Sequence, residues 1–532
     1  MRKTDLLYIV LDTQDLELKL LVDPESLARL RRSPLISRYA EGKPVTRQLL
    51  SVYYDTPDMA LRSRGLTLRV RRIGPVHFQT VKSEDMSGSA ASNRLEVEAL
   101  LHDAEPDPAL IADEALRRLV TKCARRSGLR PVYETDIRRT IRQLATSEGD
   151  RIELAFDTGV IRADGREEPV SELEFELKSG RTAALYRLAG SLAESYELRL
   201  GMISKAARGY ALATGESGIA PVKSVTPELD PSMTVEDACC AVLRNCLAQI
   251  TANEPAVVTA RDPEGVHQMR VGLRRLRSAV VSFAQTGIGP WLTPLGEEAR
   301  KFAARLGRAR DLDVYVDEML TPVMEGLPDH AGLHLLRAAA DEQRGKGWAG
   351  ARSAVASRQF TAFVLSAAAV AEERPWRQSG PTDDTQAAMA DTLALPVRNL
   401  ACRVLDDHQA LLHEKAHSFD ALTTEERHEL RIELKKLRYN ADFFAALYPK
   451  KVVKPYLKVL SKLQDVFGYL NDAAVAARIS RKLAKRAEDG KKGPLREAVG
   501  LVTGWHSQLA DQEWRQARKR WRAFEEIPPF WR

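Results

Sequence analysis

The chain has 532 residues, of which 44% are hydrophobic, so it exceeds what one hydrophobic core usually serves and we expect at least two domains. Lys and Arg outnumber Asp and Glu by 80 to 73, and this small net charge of +7 makes the placement of the charges more informative than their sum. Five cysteines without a Cys-x-x-Cys pair exclude a disulfide framework, and the chain has no apolar run long enough to span a bilayer, so we expect a cytoplasmic protein without membrane association.

Residues 12–210 alternate between polar and apolar side chains, a period of two that predicts β-strands with two or three helices between them. In each predicted strand, charged residues of both signs share one side and apolar residues share the other. Glu172 and Glu174, for example, alternate with Leu173 and Phe175. Two interpretations remain open: the charged side is a solvated outer face, or the sheet curls into a barrel that encloses the charges.

The first predicted strand places Asp15, Glu17 and Lys19 on one face, with the two carboxylates about 7 Å apart. Carboxylates at that spacing can hold a hard divalent cation. Later strands add cations that suit phosphoryl oxygens, namely Arg69, Arg71 and Lys82. They also add further carboxylates, namely Glu153, Asp157, Glu172 and Glu174. Cations for a phosphorylated substrate together with carboxylates for metal ions are what phosphoryl transfer requires.

Six segments of this region resemble a known enzyme family. Residues 12–213 are similar to a CYTH domain of the triphosphate tunnel metalloenzyme family. The segments that carry the resemblance are DLELKL at 15–20, YYDTP at 53–57, LTLRVRR at 66–72, RLEVE at 94–98, ELEFELKSG at 172–180 and SKAARGY at 204–210. The resemblance implies an eight-stranded antiparallel β-barrel around a tunnel, flanked by helices. It also implies hydrolysis or cyclisation of triphosphate compounds with Mg²⁺ or Mn²⁺.

The resemblance further implies roles for individual residues. The implied metal ligands are Asp15, Glu17, Asp157, Glu172 and Glu174. The implied catalytic and triphosphate-binding residues are Glu17, Lys19, Arg69, Arg71, Lys82, Arg138 and Lys205. One position departs from the family pattern, which usually begins Glu-x-Glu-x-Lys. Here the first residue is Asp15, whose carboxylate reaches about 1 Å less than that of Glu, a shift that can alter the metal preference or lower the activity.

Residues 214–234 are rich in Gly, Pro and Ser, which predicts a linker, and from 235 to 525 the apolar residues recur with a helical period. This second region contains an internal repeat. VHQMRVGLRRLRSAVVSF, which begins at Val266, matches RHELRIELKKLRYNADFF, which begins at Arg427, at an offset of 161 residues. We therefore expect an all-α domain made of two related halves.

The repeated helix separates its apolar and cationic residues. His267, Arg270, Arg274 and Arg277 fall within a sector about 80° wide, next to an apolar stripe that can be buried. Residues 267–310 contain nine basic and two acidic residues, whereas a solvated helix usually mixes both signs for pairing. The pattern favours a pseudo-symmetric surface for a long polyanion, and the alternative is an ordinary solvated face.

The second region resembles the CHAD domain, a helical domain often found with CYTH. The resemblance rests on VHQMRVGLRRLRSAV, on LGRARDLDV at 306–314, on RHELRIELKKLRY and on FGYLNDAAV at 467–475. It implies two pseudo-symmetric four-helix bundles over residues 235–525 that bind inorganic polyphosphate in a basic groove. The implied polyphosphate-binding residues are His267, Arg270, Arg274, Arg277, Arg305, Arg308, His428, Arg431, Lys435, Arg438, Lys454, Lys458 and Lys462.

Nucleic acid and a metal ion are alternative ligands for the helical region. Few aromatic residues are placed to stack on bases, and no helix-turn-helix or zinc-finger spacing stands out, so we do not expect nucleic acid as a specific partner. His408, His413 and His417 have near-helical spacing, but no carboxylate accompanies them in a metalloprotease pattern, which disfavours a metal site.

The sequence therefore leads to a preferred function and an alternative. The preferred function is metal-dependent hydrolysis of inorganic triphosphate by a protein whose helical domain binds long-chain polyphosphate and can associate with polyphosphate granules. The alternative is a non-catalytic or weakly catalytic polyphosphate-binding, granule-associated protein, which Asp15 favours. Adenylate cyclisation, a third activity of the tunnel family, is disfavoured by the CHAD partner.

Overall fold

The computed structural model describes residues 17–83, 96–378, 384–486 and 489–532. These residues form two compact units. The first unit comprises the described residues up to Val222 together with Thr251–Ala260 and Ala356–Glu373. The second unit comprises Lys223–Ile250, Arg261–Val355 and Arg374–Arg532. Two short segments from the helical half of the sequence therefore belong to the first unit.

The first unit is built on one antiparallel sheet. Its strands are β1 (Glu17–Leu21), β2 (Ala40–Asp55), β3 (Leu66–Ile73), β4 (Val76–Ser83), β5 (Glu96–Leu101), β6 (Arg130–Ala145), β7 (Arg151–Ala163), β8 (Arg166–Ser179) and β9 (Arg199–Leu200). They are hydrogen-bonded in the order β5-β4-β3-β2-β6-β7-β8-β1-β9. This confirms the predicted antiparallel sheet.

The sheet differs from the predicted eight-stranded barrel in number of strands and in closure. Among the described residues, no hydrogen-bonded ladder joins β5 to the opposite end of the sheet. The two-residue strand β9 pairs with β1 through Leu20 and Leu21, at the edge where closure would have to occur. The sheet therefore ends at β9 on one side and at β5 on the other.

The helices begin and end as follows. In chain order they are α1 (Pro24–Leu30), α2 (Pro34–Tyr39), α3 (Glu114–Ser127), α4 (Thr182–Ser195), α5 (Lys205–Thr214), α6 (Val235–Ala252), α7 (Pro263–Phe283), α8 (Gly289–Val314), α9 (Thr321–Gly326), α10 (Ala331–Val355), α11 (Arg358–Glu373), α12 (Asp384–Ala394), α13 (Val397–Lys415), α14 (Thr424–Phe444), α15 (Lys450–Lys485) and α16 (Lys492–Glu526). Within the described ranges, no single helix has both the length and the apolar composition of a membrane span, and the consecutive helices α10 and α11 meet that test only as a pair.

Alternation along the strands separates the two sides of the sheet. On one side, Phe156, Leu173 and Phe175 are fully buried, as the period of two predicts for an apolar face. On the other side, Asp157 and Glu172 also have an exposed fraction of 0%. The interpretation of the charged side as a solvated outer face is therefore wrong at these positions.

The internal repeat of the sequence is visible in the positions of the helices. Helices α7, α8 and α10 begin 161 residues before α14, α15 and α16, and α6 precedes α13 by a similar distance. Equivalent residues also cap the repeated helices, because the side chain of Asp262 caps α7 and that of Thr423 caps α14. Helix α7 packs on α8, α14 packs on α15, and the two halves meet where α7 packs on α14. The predicted arrangement of two related four-helix sets is confirmed.

The two halves differ in one long helix. Helix α15 continues unbroken for 36 residues. Its counterpart α8 has 26 residues and gives way to a π-helical segment, Tyr315–Leu320, and then to the short helix α9. The first repeat therefore interrupts with a π-helical segment what is a single α-helix in the second repeat.

Candidate functional site

A buried acidic cluster lies on the charged side of the sheet, where β7 and β8 run side by side. Asp157 lies opposite Glu172 in the register, and Glu174 lies opposite Lys19 of β1. One carboxylate oxygen from each of Asp157, Glu172 and Glu174 lies within 4.8 Å of the others. Among the described residues, Glu172 Oε2 is buried without a hydrogen-bond partner. Glu172 Oε2 instead forms an ion pair with Arg208 Nη1 at 3.5 Å. Hard oxygen ligands at this spacing fit a divalent cation such as Mg²⁺ or Mn²⁺.

Two lysines contact this acidic cluster. Lys205 Nζ lies 2.9 Å from Asp157 Oδ2 and 2.7 Å from Glu174 Oε1, and it also contacts Glu172. Lys19 Nζ lies 3.1 Å from Glu174 Oε1 and 3.8 Å from Glu172 Oε1. Burial opposes the charged form of both lysines, but the attraction of the neighbouring carboxylates outweighs it and raises the pKa of each lysine. Both lysines therefore carry a positive charge at neutral pH.

Arg139, which the sequence pattern did not single out, also contacts the acidic cluster. Arg139 Nε donates a hydrogen bond to Asp157 Oδ1 at 2.8 Å, Nη2 donates to Asp157 Oδ2 at 2.6 Å, and Nη2 also contacts Glu174. The predicted residue, Arg138, is exposed. Since side chains alternate along a strand, only one of two consecutive arginines can reach the cluster. The sequence offered no signal for this choice, because its charge alternation places Arg138 on the same side as Glu134 and Asp136.

Helix α5 brings Lys205 to the cluster by approaching the sheet closely. Its N-terminus is capped by Ser204, whose hydroxyl oxygen accepts a hydrogen bond from the Ala207 N–H. A Cβ atom at Gly209 would lie only 2.1 Å from Cε2 of the Tyr133 ring. The helix therefore packs at a distance that only glycine permits.

The YYDTP motif after β2 holds the other end of α5. Tyr210 donates a hydrogen bond from its hydroxyl to Asp55 Oδ2 at 3.0 Å. The buried Asp55 carboxylate also accepts hydrogen bonds from the N–H groups of Thr56, Leu61 and Arg62, at 2.7 to 2.9 Å. Asp55 thus joins the turn after β2 to the helix that carries the lysine, a role that the spacing in the sequence does not reveal.

A second group of cations lies on β3 and β4. Arg71 Nε donates a hydrogen bond to Ser51 Oγ at 3.0 Å, but within the described ranges Arg71 forms no ion pair. Burial, followed by the charge of Arg69, lowers the pKa of Arg71 to about 10. Arg69 Nη2 lies 3.4 Å and Lys82 Nζ 2.7 Å from carboxylate oxygens of Glu96. A partly buried guanidinium without a carboxylate partner suits a phosphate group.

Of the two implied ligands at the start of the chain, the structure describes Glu17. Glu17 Oε1 lies 3.8 Å from Lys19 Nζ, and its side chain is 40% exposed, unlike the three buried carboxylates. Asp15 lies outside the described residues. Glu17 therefore reaches the acidic cluster through Lys19, which contacts Glu174.

The second unit contains a cationic cavity of about 770 Å³. Helices α7, α8, α10 and α15 line it, and its cationic residues are Arg270, Arg274, Arg277, Arg300, Arg308, Arg478, Lys482 and Arg486. Among the described lining residues Asp311 is the one carboxylate, and no described ion pair includes any of the eight cations. Burial, followed by the charge of Arg274, lowers the pKa of Arg270 to about 10. Crowded cations without acids favour an anionic ligand.

The second repeat places its predicted residues differently. Arg431 and Lys435 are partly buried, and burial, followed by the charge of Arg274, lowers the pKa of Lys435 to about 6. Arg438 Nη1 donates a hydrogen bond to Ser461 Oγ at 3.0 Å. The predicted residues that are exposed and do not line the cavity are Arg305, His428, Lys454, Lys458 and Lys462.

Two histidines of the helical unit lie beside cationic or aromatic side chains. Burial, followed by the charge of Arg310, lowers the pKa of His267 to about 4, so its imidazole is neutral at pH 7. His413 stacks on Phe524, with ring centroids 6.0 Å apart. Among the described residues, no group of potential metal ligands includes a histidine.

Comparison with known proteins assigns both regions to families. Residues 14–210 match the family model of the CYTH domain, and residues 241–481 match that of the CHAD domain. The chain is 32% identical over 200 residues to the inorganic triphosphatase of Haemophilus influenzae. That match covers 37% of this chain and 55% of the relative, so the chain spans about half the length of this curated relative.

Solved structures resemble parts of the chain. The CHAD domain from Ricinus communis is 28% identical with a TM-score of 0.47, over 59% of this chain and 99% of that one. PptA from Streptomyces chartreusis is 14% identical with a TM-score of 0.38, over 54% and 99% of the two chains. HpAC1 from Hippeastrum, with its dominant triphosphatase activity, is 18% identical with a TM-score of 0.28, over 38% and 95%.

The protein is thus one in which an antiparallel sheet with a buried acidic cluster precedes a repeated cationic helical region. The chain contains a CYTH domain at residues 14–210, followed by a CHAD domain at residues 241–481.

Proposed function

We propose that the first unit hydrolyses inorganic triphosphate with a divalent metal ion. The observation that supports this proposal best is the buried cluster of Asp157, Glu172 and Glu174, which is surrounded by cationic side chains. Carboxylates that suit a metal ion, next to lysines and arginines that suit phosphate oxygens, are the components of metal-assisted phosphoryl transfer. The similarity to an inorganic triphosphatase supports the same substrate.

In this proposal the carboxylates of the acidic cluster hold Mg²⁺ or Mn²⁺. When bound, the ion neutralises charge on the phosphate oxygens and makes a bound water more acidic. Lys19 and Lys205, both positively charged, bind the phosphate oxygens nearest to the cluster. Arg139 is a positioning residue, because its hydrogen bonds orient Asp157 and Glu174 and its charge helps to lower the pKa of Glu174.

The cations of β3 and β4 bind the far end of the substrate. Arg71, which lacks a carboxylate partner among the described residues, contributes a guanidinium to the phosphate oxygens. Arg69 and Lys82 exchange their contacts with Glu96 for contacts with phosphate. An extended triphosphate would thus lie between two groups of cations, with the metal at one end.

The test is phosphate release from triphosphate, ATP and long-chain polyphosphate, each with and without Mg²⁺ or Mn²⁺. We expect metal-dependent release from triphosphate, lowered at least about a hundredfold in Glu174→Gln, because that carboxylate lies at the centre of the cluster. Glu134→Gln, which alters an exposed carboxylate of β6, is the matched control and should retain the activity. Equal activity in both variants would show that the acidic cluster is not the active site.

We further infer that the helical unit binds inorganic polyphosphate. The eight cations of the cavity, which form no ion pair within the part of the chain that the structure describes, support this inference, because a polyanion supplies the negative charge that the cavity lacks. Arg274→Glu with Lys435→Glu should weaken retention of long-chain polyphosphate by the whole protein. Arg515→Glu with Lys519→Glu, which changes two exposed cations of α16, should not. Equal retention by both double variants would contradict the assignment.

The alternative function is polyphosphate binding without catalysis. Asp15, which stands where the family usually has Glu, favours it. Retention of polyphosphate by a parent chain that releases no phosphate from triphosphate with either metal would support this alternative.

A further inference from the structure

The two-residue strand β9 and the glycine after it support the side chain of Lys19. The Gly201 N–H donates a hydrogen bond of 2.8 Å to the carbonyl oxygen of Lys19. A Cβ atom at Gly201 would lie only 2.6 Å from Cγ of Lys19 and 3.1 Å from Cδ. The backbone at Gly201 therefore lies directly against the methylene groups that carry Lys19 Nζ to the acidic cluster.

Strand β9 gains little stability from the sheet itself. It lies at the edge of the sheet, where it is hydrogen-bonded to β1. Its register with β1 consists of two pairs, Leu20 with Leu200 and Leu21 with Arg199. So short a ladder is marginal on its own. The position of β9, and with it the support of Lys19, therefore depends on what its side chains contact.

Arg199 of β9 contacts a segment from the helical half of the sequence. Arg199 Nε lies 3.4 Å from Glu254 Oε1. Glu254 belongs to Thr251–Ala260, the stretch between α6 and α7 that forms part of the first unit. The side chain of Glu254 is 4% exposed, so salt and solvent screen its attraction to Arg199 less than that of a surface pair.

The residue before Glu254 fastens this segment to the rest of the first unit. Asn253 Nδ2 donates a hydrogen bond to the carbonyl oxygen of Val222 at 2.8 Å, and Asn253 Oδ1 accepts one from the Val222 N–H at 3.0 Å. Two hydrogen bonds to one residue fix the orientation of the Asn253 amide as well as its position. Glu254 thus extends from an anchored backbone toward Arg199 on the short strand.

The ion pair between Arg199 and Glu254 is not a strong source of stability. Among the described residues, Arg199 Nε and Glu254 Oε1 are both buried without a hydrogen-bond partner. The attraction within a buried ion pair offsets the cost of desolvation only where the geometry is good and further hydrogen bonds are made. The consequence of this pair is therefore the placement of β9 more than the stability of the fold.

The charge of Glu254 changes at neutral pH. Burial raises the pKa of Glu254 to about 7, and the charge of Arg199 opposes this rise. Among the described residues, Arg199 supplies the one charge that shifts this pKa. Helix α11 also contacts β9, but its terminal charges pair with other groups, Arg358 with Glu197 and Glu373 with Arg187. The attraction of Glu254 to Arg199 is thus at full strength above about pH 7 and weakens below it.

We propose that Glu254 is a positioning residue for phosphate release, whose carboxylate holds Arg199 and thereby the strand that supports Lys19. A residue from the helical half of the sequence then adjusts a lysine of the acidic cluster. This inference rests on the proposed triphosphate hydrolysis, in which Lys19 binds a phosphate oxygen. It also gives a function to the segment Thr251–Ala260 within the first unit.

The experiment measures the rate of phosphate release from saturating triphosphate with Mg²⁺ in the whole protein, as a function of pH. Glu254→Gln removes the charge and keeps the size of the side chain. Glu197→Gln is the matched control, because Glu197 forms an ion pair of the same 3.4 Å with Arg358 but is 69% exposed. Each variant is expressed as the ratio of its rate to that of the parent, so that ionisations of the substrate and of the shared site cancel.

Two further variants test the path from Glu254 to Lys19. Arg199→Gln removes the other partner of the ion pair, and it serves as a second test if Glu254→Gln does not fold. Gly201→Ala places a methyl group against the Lys19 side chain without changing any charge. Thermal unfolding of every variant shows whether a lower rate reflects a smaller folded fraction.

We expect the rate of Glu254→Gln to agree with that of the parent within about twofold at about pH 6, and to lie at least about fivefold below it at about pH 8. The reason is that the parent carries the attracting charge only after Glu254 ionises. Arg199→Gln should show the same change of ratio with pH. Glu197→Gln should stay within about twofold of the parent throughout, because exposed ion pairs contribute little. Gly201→Ala should be slower at every pH.

The opposite results would overturn the positioning role. A ratio for Glu254→Gln that does not change with pH would mean that this residue acts only on the fold. An unchanged rate in Gly201→Ala would show that β9 does not support Lys19. If the parent itself releases no phosphate from triphosphate, the proposed hydrolysis is overturned and the positioning role with it, whereas an active parent with constant ratios overturns the positioning role alone.

Discussion

Two consecutive arginines on β6 have opposite surroundings. Arg139 lies opposite Asp157 in the register and forms hydrogen bonds with it, whereas Arg138 lies opposite Thr158 and is exposed. A dipeptide of identical residues contains no information on which one faces the acidic cluster. The neighbouring strand decides, because its register fixes which side chain meets a carboxylate.

This difference predicts unequal effects on stability. Arg139→Gln should lower the free energy of unfolding by about 3 kcal/mol, because it leaves the buried Asp157 without its guanidinium partner. Arg138→Gln, the matched control at the exposed neighbour, should change it by less than about 0.5 kcal/mol. Urea denaturation of both variants at neutral pH measures the two values. Similar losses would show that Arg139 is not the partner of the acidic cluster.

The charge state of Glu174 predicts a pH dependence. Burial favours its neutral form, but Lys205, Lys19 and Arg139 hold the pKa of this carboxyl well below its usual 4.5. Since the folded state binds this proton less readily than the unfolded state, the ionised group stabilises the fold above pH 4.5, and this stability is lost as the pH falls further.

Unfolding free energies measured from neutral to acidic pH test this dependence. The wild-type value should fall more steeply below about pH 4.5 than that of Glu174→Gln, whose amide does not titrate. Glu134→Gln, which removes an exposed carboxylate outside the acidic cluster, is the matched control. Parallel curves for Glu174→Gln and the wild type would contradict the low pKa.

At the scale of elements, the placement of Lys205 depends on how closely α5 approaches the sheet. The sequence shows the helix and its cap, but the closeness arises from Gly209 against Tyr133 and from the hydrogen bond of Tyr210 to Asp55. These partners are separated by more than 70 positions in the chain. Local periodicity therefore predicts the helix, and only the packed structure shows what the glycine is for.

Gly209→Ala tests this close approach. The added methyl group would collide with the Tyr133 ring, so we expect a loss of about 1–3 kcal/mol in stability together with reduced phosphate release as Lys205 moves from the cluster. Gly190→Ala in α4 is the matched control, because its new Cβ would lie 3.8 Å from Leu365, an ordinary contact. That control should be neutral or stabilised by up to about 1 kcal/mol through its higher helix propensity. Thermal unfolding and phosphate-release assays measure both quantities, and unchanged values for Gly209→Ala would contradict the packing.

The repeated helices show how far the sequence reaches at this scale. The 161-residue offset predicted equivalent helices, and the starts of α7 and α14 agree with it to the residue. It did not predict that α15 is one α-helix whereas α8 is followed by a π-helical segment. The repeat accounts for the shared cations of α7 and α14, whereas Arg478, Lys482 and Arg486 of α15 have no cationic counterparts at that offset.

At the scale of the whole molecule, the two proposed activities should respond differently to removal of metal. EDTA should abolish phosphate release, because the acidic cluster loses the ion that it is proposed to hold. The same treatment should leave polyphosphate retention unchanged, because the cavity is lined by cations and a single carboxylate. Both readouts can be taken on one preparation, with Mg²⁺ added back as the control. Loss of retention in EDTA would mean that metal ions also bridge the polyphosphate to the helical unit.

The sequence by itself determined the alternating strands, the boundary between strand-rich and helical regions, and the repeat, because each is encoded in the order of residues close along the chain. The tertiary structure decided which charges converge. It selected Arg139 over Arg138, joined Thr251–Ala260 and Ala356–Glu373 to the first unit, and brought the end of α15 to the cavity. Those outcomes depend on strand register and on contacts between segments that are far apart in the chain, and a local pattern of residues does not determine which distant segments will pack together.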